Sequence, residues 1–401
     1  MFKKNVVILG GGFAGVSAAL ELIRHKEEYD LRITLIDKNS YHTFTPSLYE
    51  VATCEETQKN IVISFGEIFG RKVHVVKGEI TTINLKDKFI KTKDKKHFYF
   101  DYLIIAMGSE SSCFGISSIE KYGYSLKSVV DAYKIQEKIR DIFHKEAEHK
   151  KINIVVGGGG FSGTELTAEL VCFQERLAKE YSCKNSCVKI TVIQGSERLL
   201  KELDQEASET AKKRLEALGV KICLKEHIKN VDKKNIETDA GNSYSYDVFI
   251  WTGGVRSVSV LAKNDLPVNA RGQIMVNDCL QVAGFDNILA AGDNAEFIDS
   301  LTKQHAPGVA EVAESQGKLS AENIIRHLKK EKLLKYKIKH SGYIIPLKGK
   351  FAILEMKNFH IAGFIGWIAQ QYVVLRYFLS ILSLPKAFRR WNNFEKDLRQ
   401  N

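Results

Sequence analysis

The chain writes one strand–turn–helix unit twice, and this repeat constrains its fold more than any other feature. The first copy runs Val6-Val7-Ile8-Leu9 into Gly10-Gly11-Gly12-Phe13-Ala14-Gly15 and a helical pattern to about Arg24. The second runs residues 152–156 into Gly158-Gly159-Gly160-Phe161-Ser162-Gly163 and a helix to about Tyr181. Each turn joins a β-branched run to a 3.6-period segment, as a strand–turn–helix requires. A second strand follows in each copy, at 32–36 and 189–193. A meander is expected next, pairing 73–78 with 89–92 and 220–224 with 235–238. Both copies close alike, with Phe100-Asp101-Tyr102-Leu103-Ile104-Ile105-Ala106-Met107-Gly108 and Tyr246-Asp247-Val248-Phe249-Ile250-Trp251-Thr252-Gly253-Gly254. The first turn glycine precedes the closing Asp by 91 residues in one copy and 89 in the other. Two motifs held at nearly one distance describe a duplicated nucleotide-binding unit.

The chemistry of such a turn is electrostatic. A dinucleotide's pyrophosphate is held by free N–H groups at a helix N-terminus, and side chains on the turn would block its approach. Gly10, Gly12 and Gly15 fit G-x-G-x-x-G, with Phe13 and Ala14 between them, and so do Gly158, Gly160 and Gly163. Asp37 ends the second strand of copy one, 22 residues after Gly15, where a carboxylate accepts from ribose hydroxyls. Lys38 and His42 adjoin it, while Ala106 and Gly108 close the first site and Gly253 and Gly254 the second. In copy two the strand ends on Gln194, with Ser196 and Arg198 close behind. A neutral side chain there lacks the charge that repels a 2′-phosphate, so relaxed NADH/NADPH selectivity and a silent substitution both remain open. Further on, Asn287-Ile288-Leu289-Ala290-Ala291-Gly292-Asp293-Asn294 suits a strand returning to the first unit.

With 401 residues, two to three domains are expected. The net charge of +11 is confined to the tail: from Lys329 onward there are 15 Lys and Arg against 4 Asp and Glu. The seven cysteines show no C-x-x-C spacing, so neither a metal site nor a disulfide scaffold is expected. The N-terminus runs from Met1 through Lys3 and Lys4 directly into a strand, so no signal peptide is expected. Residues 361–384 are almost wholly apolar apart from Gln370, Gln371 and Arg376. After Pro385, residues Phe388, Trp391, Phe394 and Leu398 recur on one helical face, opposite basic groups. Aromatic residues beside Lys and Arg are the composition of a helix lying in a headgroup layer. Nothing in the tail resembles a nucleic-acid-binding motif.

These segments resemble the two-dinucleotide-domain flavoprotein reductases, and among them the type II, non-proton-pumping NADH:quinone oxidoreductases. The resemblance rests on Tyr41-His42-Thr43-Phe44-Thr45-Pro46-Ser47-Leu48-Tyr49-Glu50-Val51-Ala52, on Gly163-Thr164-Glu165, on Ile250-Trp251-Thr252-Gly253-Gly254-Val255-Arg256, and on Gly363-Phe364-Ile365-Gly366-Trp367. It implies an α/β chain with two Rossmann-like dinucleotide-binding domains, the second inserted in the first, plus a C-terminal membrane-associating helical region. The boundaries implied are 1–112 with 265–328 for FAD, 113–264 for NADH (NADPH admitted), and a basic region at 329–401. Asp37, Gly292 and Asp293 would hold FAD, and Glu165 would lie near nicotinamide and flavin.

Two departures stand out. The family carries an acid where Gln194 stands. Its quinone-site pattern A-Q-x-A-x-Q reads here Ala310-Glu311-Val312-Ala313-Glu314-Ser315, leaving Glu311 and Gln316 as the candidates at the quinone end. Disulfide reductases of this fold place a cysteine pair after the first ribose acid, whereas 39–53 has none and Cys54 stands alone. The expected reaction passes a hydride from NADH to FAD and two electrons to a quinone, without proton pumping, at the cytoplasmic membrane face. A ferredoxin-like protein acceptor is the alternative, and a homodimer is compatible with the sequence.

Overall fold

Strand Lys4–Leu9 buries Val6, Val7, Ile8 and Leu9 together, which only a central position in a covered sheet allows. In the computed structural model, which describes residues 3–53, 58–146, 151–181, 188–262, 264, 266–338, 340–356 and 359–399, it takes that place. It pairs in parallel with Leu31–Asp37 on one side and Tyr102–Ile105 on the other. His74–Lys77 and Ile288–Ala290 form the two edges, also in parallel register. The second sheet repeats this order. Ile152–Gly157 lies between Val188–Gln194 and Val248–Trp251, and Lys221–Leu224 and Tyr124–Ser125 complete it. The chain is therefore α/β with two Rossmann-like parallel sheets.

The expected meanders need correction at their first strands. His74–Lys77 and Lys221–Leu224 join the parallel sheets, because each covers an edge that the preceding second strand would leave unpaired. The antiparallel meanders start one strand later. They comprise Ile80–Asn84, Phe89–Thr92 and His97–Tyr99 in one unit, and Ile228–Val231, Asn235–Thr238 and Ser243–Ser245 in the other. Alternating burial along Phe89–Thr92 gives this layer one dry face and one wet one.

By contacts, one compact unit comprises Met1–Thr43, Val62–Glu110 and Val255–His340. The other comprises Phe44–Ile61, Ser111–Gly254 and Ser341–Asn401. In the first, helix Phe13–Arg24 packs along Ala310–Leu328 so closely that a Cβ on Gly317 would strike the Ala14 carbonyl. Ser17 Oγ ties the pair by donating to the Glu314 carbonyl at 2.8 Å.

In the second unit the tail opens with an antiparallel sheet, Tyr343–Pro346, Ala352–Met356 and Phe359–Gly363. Helices Phe364–Ile381 and Leu384–Arg399 follow, so the apolar run contributes its first three residues to a strand. Pro385 sits in the first turn of the last helix, where a missing N–H costs nothing. Phe44 packs on Tyr377 at 5.1 Å and on Phe378 at 5.7 Å between ring centroids. Among the described residues, no helix is long and apolar enough to cross a membrane. The side chains of Phe394 and Leu398, and Cys54, Cys183 and Cys187, lie outside the described residues.

Candidate nucleotide sites

The two glycine loops are built alike, residue by residue. Gly10 has φ +95° and Gly158 φ +105°, in the left-handed region that L side chains avoid. A Cβ on Gly10 would strike the Ala106 carbonyl, and one on Gly158 the backbone of Gly253. These first glycines therefore press the loop onto the closing strand. A Cβ on Gly15 would collide with the Gly10 carbonyl oxygen, and one on Gly163 with that of Gly158. The third glycines thus let each helix fold back on its own loop.

The middle glycines differ. At Gly12 and at Gly160 an added Cβ meets no protein atom within 4 Å. Each begins a helix with no side-chain cap and no acid in its first turn. Uncapped N–H groups, an uncompensated helix dipole and open space together make a cradle for a doubly negative diphosphate. The donor set fits such a group in both units.

Strand-end side chains tie each loop down. Asp37 Oδ2 accepts from the Gly11 amide at 2.6 Å, and its Oδ1 accepts from Asn39 at 2.7 Å. Burial raises the Asp37 pKa, and these two N–H groups oppose the rise. In the second unit Gln194 Oε1 accepts from the Gly159 amide at 2.8 Å. Gln194 Nε2 donates to Ser196 Oγ at 2.6 Å, and Ser196 donates to the Arg198 carbonyl at 2.7 Å. The Arg198 guanidinium donates to the carbonyls of Lys201 and Leu203, both at 2.9 Å.

His42 is wholly buried beneath the first loop, its Nδ1 3.0 Å from the Gly11 carbonyl oxygen. Facing a carbonyl, Nδ1 carries the proton, and burial pulls the pKa down to about 4, so the ring is neutral near pH 7. Phe13 meets it edge-on at 5.1 Å, while Lys38 is exposed.

Gly292 and Asp293 lie beside the first glycine loop, where a Cβ on Gly292 would come 3.4 Å from that of Ala14. Ser109 Oγ donates to Asp293 Oδ2 at 2.6 Å. Asn294 accepts from the Gly108 amide at 2.9 Å and donates to the Ile105 carbonyl at 3.0 Å. Gln316 Oε1 accepts from the Gly292 amide at 2.8 Å. Gln316 is buried, so its amide is committed to the loop. Glu311 stands apart from that bond, 3.4 Å from His340 Nδ1. A cleft of about 600 Å³ opens here, lined in part by Arg271, Gln273, Asp293, His305, Val309 and Ala313.

Glu165 lies in the second unit, in an acidic cluster. Tyr49 Oη donates to Glu50 Oε1 at 3.0 Å, and both residues are buried. Loss of solvent and the neighbouring Glu50 raise the Glu165 pKa well above the usual carboxylate range. Burial also raises Glu169, against the opposing charges of Arg176 and Lys348. Arg176 in turn donates to the Thr53 carbonyl and Gln136 to that of Val51, at 3.1 Å for the latter, pinning the short helix Leu48–Thr53.

Sequence reasoning missed Ser109, Asn294 and Tyr49 as parts of these sites. For Asn294 a signal existed, since an Asn directly after Gly-Asp has both a donor and an acceptor to lock the turn. Ser109 carried none.

Residues 4–317 match the family model described as pyridine nucleotide-disulphide oxidoreductase. A type II NADH:quinone oxidoreductase of Staphylococcus saprophyticus is 29% identical over 331 residues, 80% of this chain and 82% of that protein. Its Staphylococcus aureus counterpart is 27% identical over 403 residues, covering 97% and 98%. Among solved structures, the Plasmodium falciparum NDH2 in complex with NADH aligns with a TM-score of 0.88 at 21% identity, covering 98% of each chain. A sulfide:quinone oxidoreductase from the hyperthermophilic bacterium Aquifex aeolicus aligns with a TM-score of 0.78 at 18% identity, covering 97% and 92%.

Proposed function

Because the chain belongs to the pyridine nucleotide-disulphide oxidoreductase family, we propose that it is a type II NADH:quinone oxidoreductase that uses FAD and pumps no protons. The observation that carries this reading is the pair of loops whose middle glycines, Gly12 and Gly160, both face open space. FAD belongs to the first unit, held by the Gly10–Gly15 turn, Asp37, and the Gly292–Asp293 end. NADH belongs to the second, on the Gly158–Gly163 turn, with Gln194 at the adenosine ribose.

FAD, when bound, supplies the two-electron chemistry that joins NADH oxidation to quinone reduction. The residues supply hold and proton balance. Converting NADH and a quinone to NAD⁺ and a quinol takes up one proton from solvent. Glu165, whose pKa is raised by loss of solvent and by the neighbouring Glu50, is suited to donate a hydrogen bond or a proton. Among the described residues Cys172, Cys223 and Cys279 form no disulfide, and burial pushes the Cys172 thiol up to about 12.

The last two helices rest on the cytoplasmic face of the membrane without crossing it. Phe364, Ile365, Ile368, Tyr372, Leu384 and Phe388 are all exposed, with Arg376, Lys386 and Arg389 exposed among them. An apolar stripe bordered by cations suits an anionic headgroup layer, where a long-chain quinone is within reach. Purified, flavin-loaded protein given NADH should reduce a short-chain quinone. A protein that binds FAD yet transfers no electrons from NADH or NADPH to any quinone would end this reading.

A further inference from the structure

We propose that Phe114 positions the nicotinamide half of the dinucleotide, as an aromatic wall at the end of strand Val248–Trp251; this rests on NADH binding in the second unit. Phe114 and Gly115 have φ +49° and +81°, and the Ile116 amide donates to the Cys113 carbonyl at 2.9 Å. This is a tight turn with left-handed backbone at both central residues, where Asn, Asp and Gly are the usual occupants. A bulky Phe is among the least suited residues there. Its ring does not repay the strain by joining the core, since Phe114 is 66% exposed.

Strain of this kind persists where the surroundings over-determine it, and it concentrates at ligand sites. The turn is pinned to the strand end twice. The Ser112 amide donates to the Gly254 carbonyl at 2.9 Å, and Trp251 Nε1 donates to the Ser112 carbonyl at 2.8 Å. The Phe114 ring stands edge-on to Trp251 at 6.2 Å and covers Gly254, where any Cβ would strike it. Gly253 in turn abuts Gly158, the first residue of the glycine loop.

Sheet order supplies the orientation. Val188–Gln194 and Val248–Trp251 flank Ile152–Gly157 on opposite sides. A dinucleotide straddles the central strand with its diphosphate at the loop. With the adenosine ribose at Gln194, the nicotinamide half extends toward Val248–Trp251 and meets the exposed Phe114 ring.

The test compares Phe114→Ala, Phe114→Gly and Phe114→Trp in the flavin-loaded full chain. The readouts are NADH Kd by fluorescence titration, steady-state constants and thermal melting. Phe114→Ala should raise the Kd and KM for NADH roughly fivefold to tenfold, the loss of one ring contact, with kcat little changed. Phe114→Trp should restore both. Phe114→Gly should melt above Phe114→Ala, reversing the usual order of these residues because only Gly accepts the backbone without strain. An unchanged NADH Kd in Phe114→Ala, or a Phe114→Ala that melts above Phe114→Gly, would overturn the proposal. A parent protein that itself fails to bind NADH would overturn the functional reading beneath it.

Discussion

Gln194 accepts from the Gly159 amide at 2.8 Å in the position where Asp37 accepts from the Gly11 amide at 2.6 Å. The neutral residue keeps the structural half of the acid's role, tying the loop to the strand, and drops its charge. Gln194→Glu retains the acceptor and restores the charge. We expect its kcat/KM for NADPH to fall roughly tenfold or more relative to NADH, since one repulsive contact at a partly solvated site is worth about 1–4 kcal/mol. Steady-state kinetics with both nucleotides measures the ratio. If it does not move, Gln194 does not face the ribose.

The glycines separate binding from folding. Gly12→Ala and Gly160→Ala add a methyl that touches no protein atom, so apoprotein stability should change by under about 0.5 kcal/mol. Gly12→Ala should lose bound FAD, and Gly160→Ala should raise the KM for NADH while keeping its flavin. Gly15→Ala and Gly163→Ala force a methyl against a carbonyl and should cost about 1–3 kcal/mol or more before any ligand is added. Flavin absorbance and thermal melts, taken together, distinguish the two classes.

Glu165 sets one pH dependence. Its folded pKa is raised above the unfolded value, so its contribution to stability is complete below about pH 4.5 and declines as pH rises toward the folded pKa. Glu165→Gln imitates the protonated form at every pH. Its melting temperature should therefore fall less than that of the parent between pH 5 and 9. Parallel curves would mean that the parent carboxyl is not held protonated.

His42 has the opposite sign. With a folded pKa near 4 against an unfolded value near 6.5, the neutral ring's contribution is intact above pH 6.5 and is lost as pH falls to about 4. The amount is about 3 kcal/mol. In His42→Asn the side-chain amide can still donate to the Gly11 carbonyl but does not titrate. Its denaturation midpoint should depend less steeply on pH across that window. Equal slopes would place the acid sensitivity elsewhere.

The tail calls for point substitutions rather than truncation, because Tyr377 and Phe378 pack on Phe44 in the core of their unit. Ile365→Gln with Ile368→Gln and Phe388→Gln removes exposed apolar surface only. Binding to anionic vesicles should weaken by tenfold or more at roughly 1.5–3 kcal/mol per apolar side chain, with quinone reduction in solution retained. Undiminished co-sedimentation would remove these helices from the membrane contact.

What the sequence determined by itself was local: two β-branched strands, each leading through a glycine turn into a helix, and two closing strands at matching distances. Backbone geometry enforces such patterns within a few residues, since a Cβ at Gly15 or Gly163 strikes a carbonyl only five positions back. Tertiary structure alone decided which distant residues share a site. It moved 74–77 and 221–224 from the meanders into the parallel sheets, because an open strand edge must be covered. It gathered Phe44–Ile61 into the second unit and thereby set Glu50 beside Glu165. It turned Gln316 inward to the Gly292 amide and left Glu311 facing His340. Neither pairing is written in any neighbouring residue: each follows from helices and loops packing where buried surface is greatest and buried polar groups find partners.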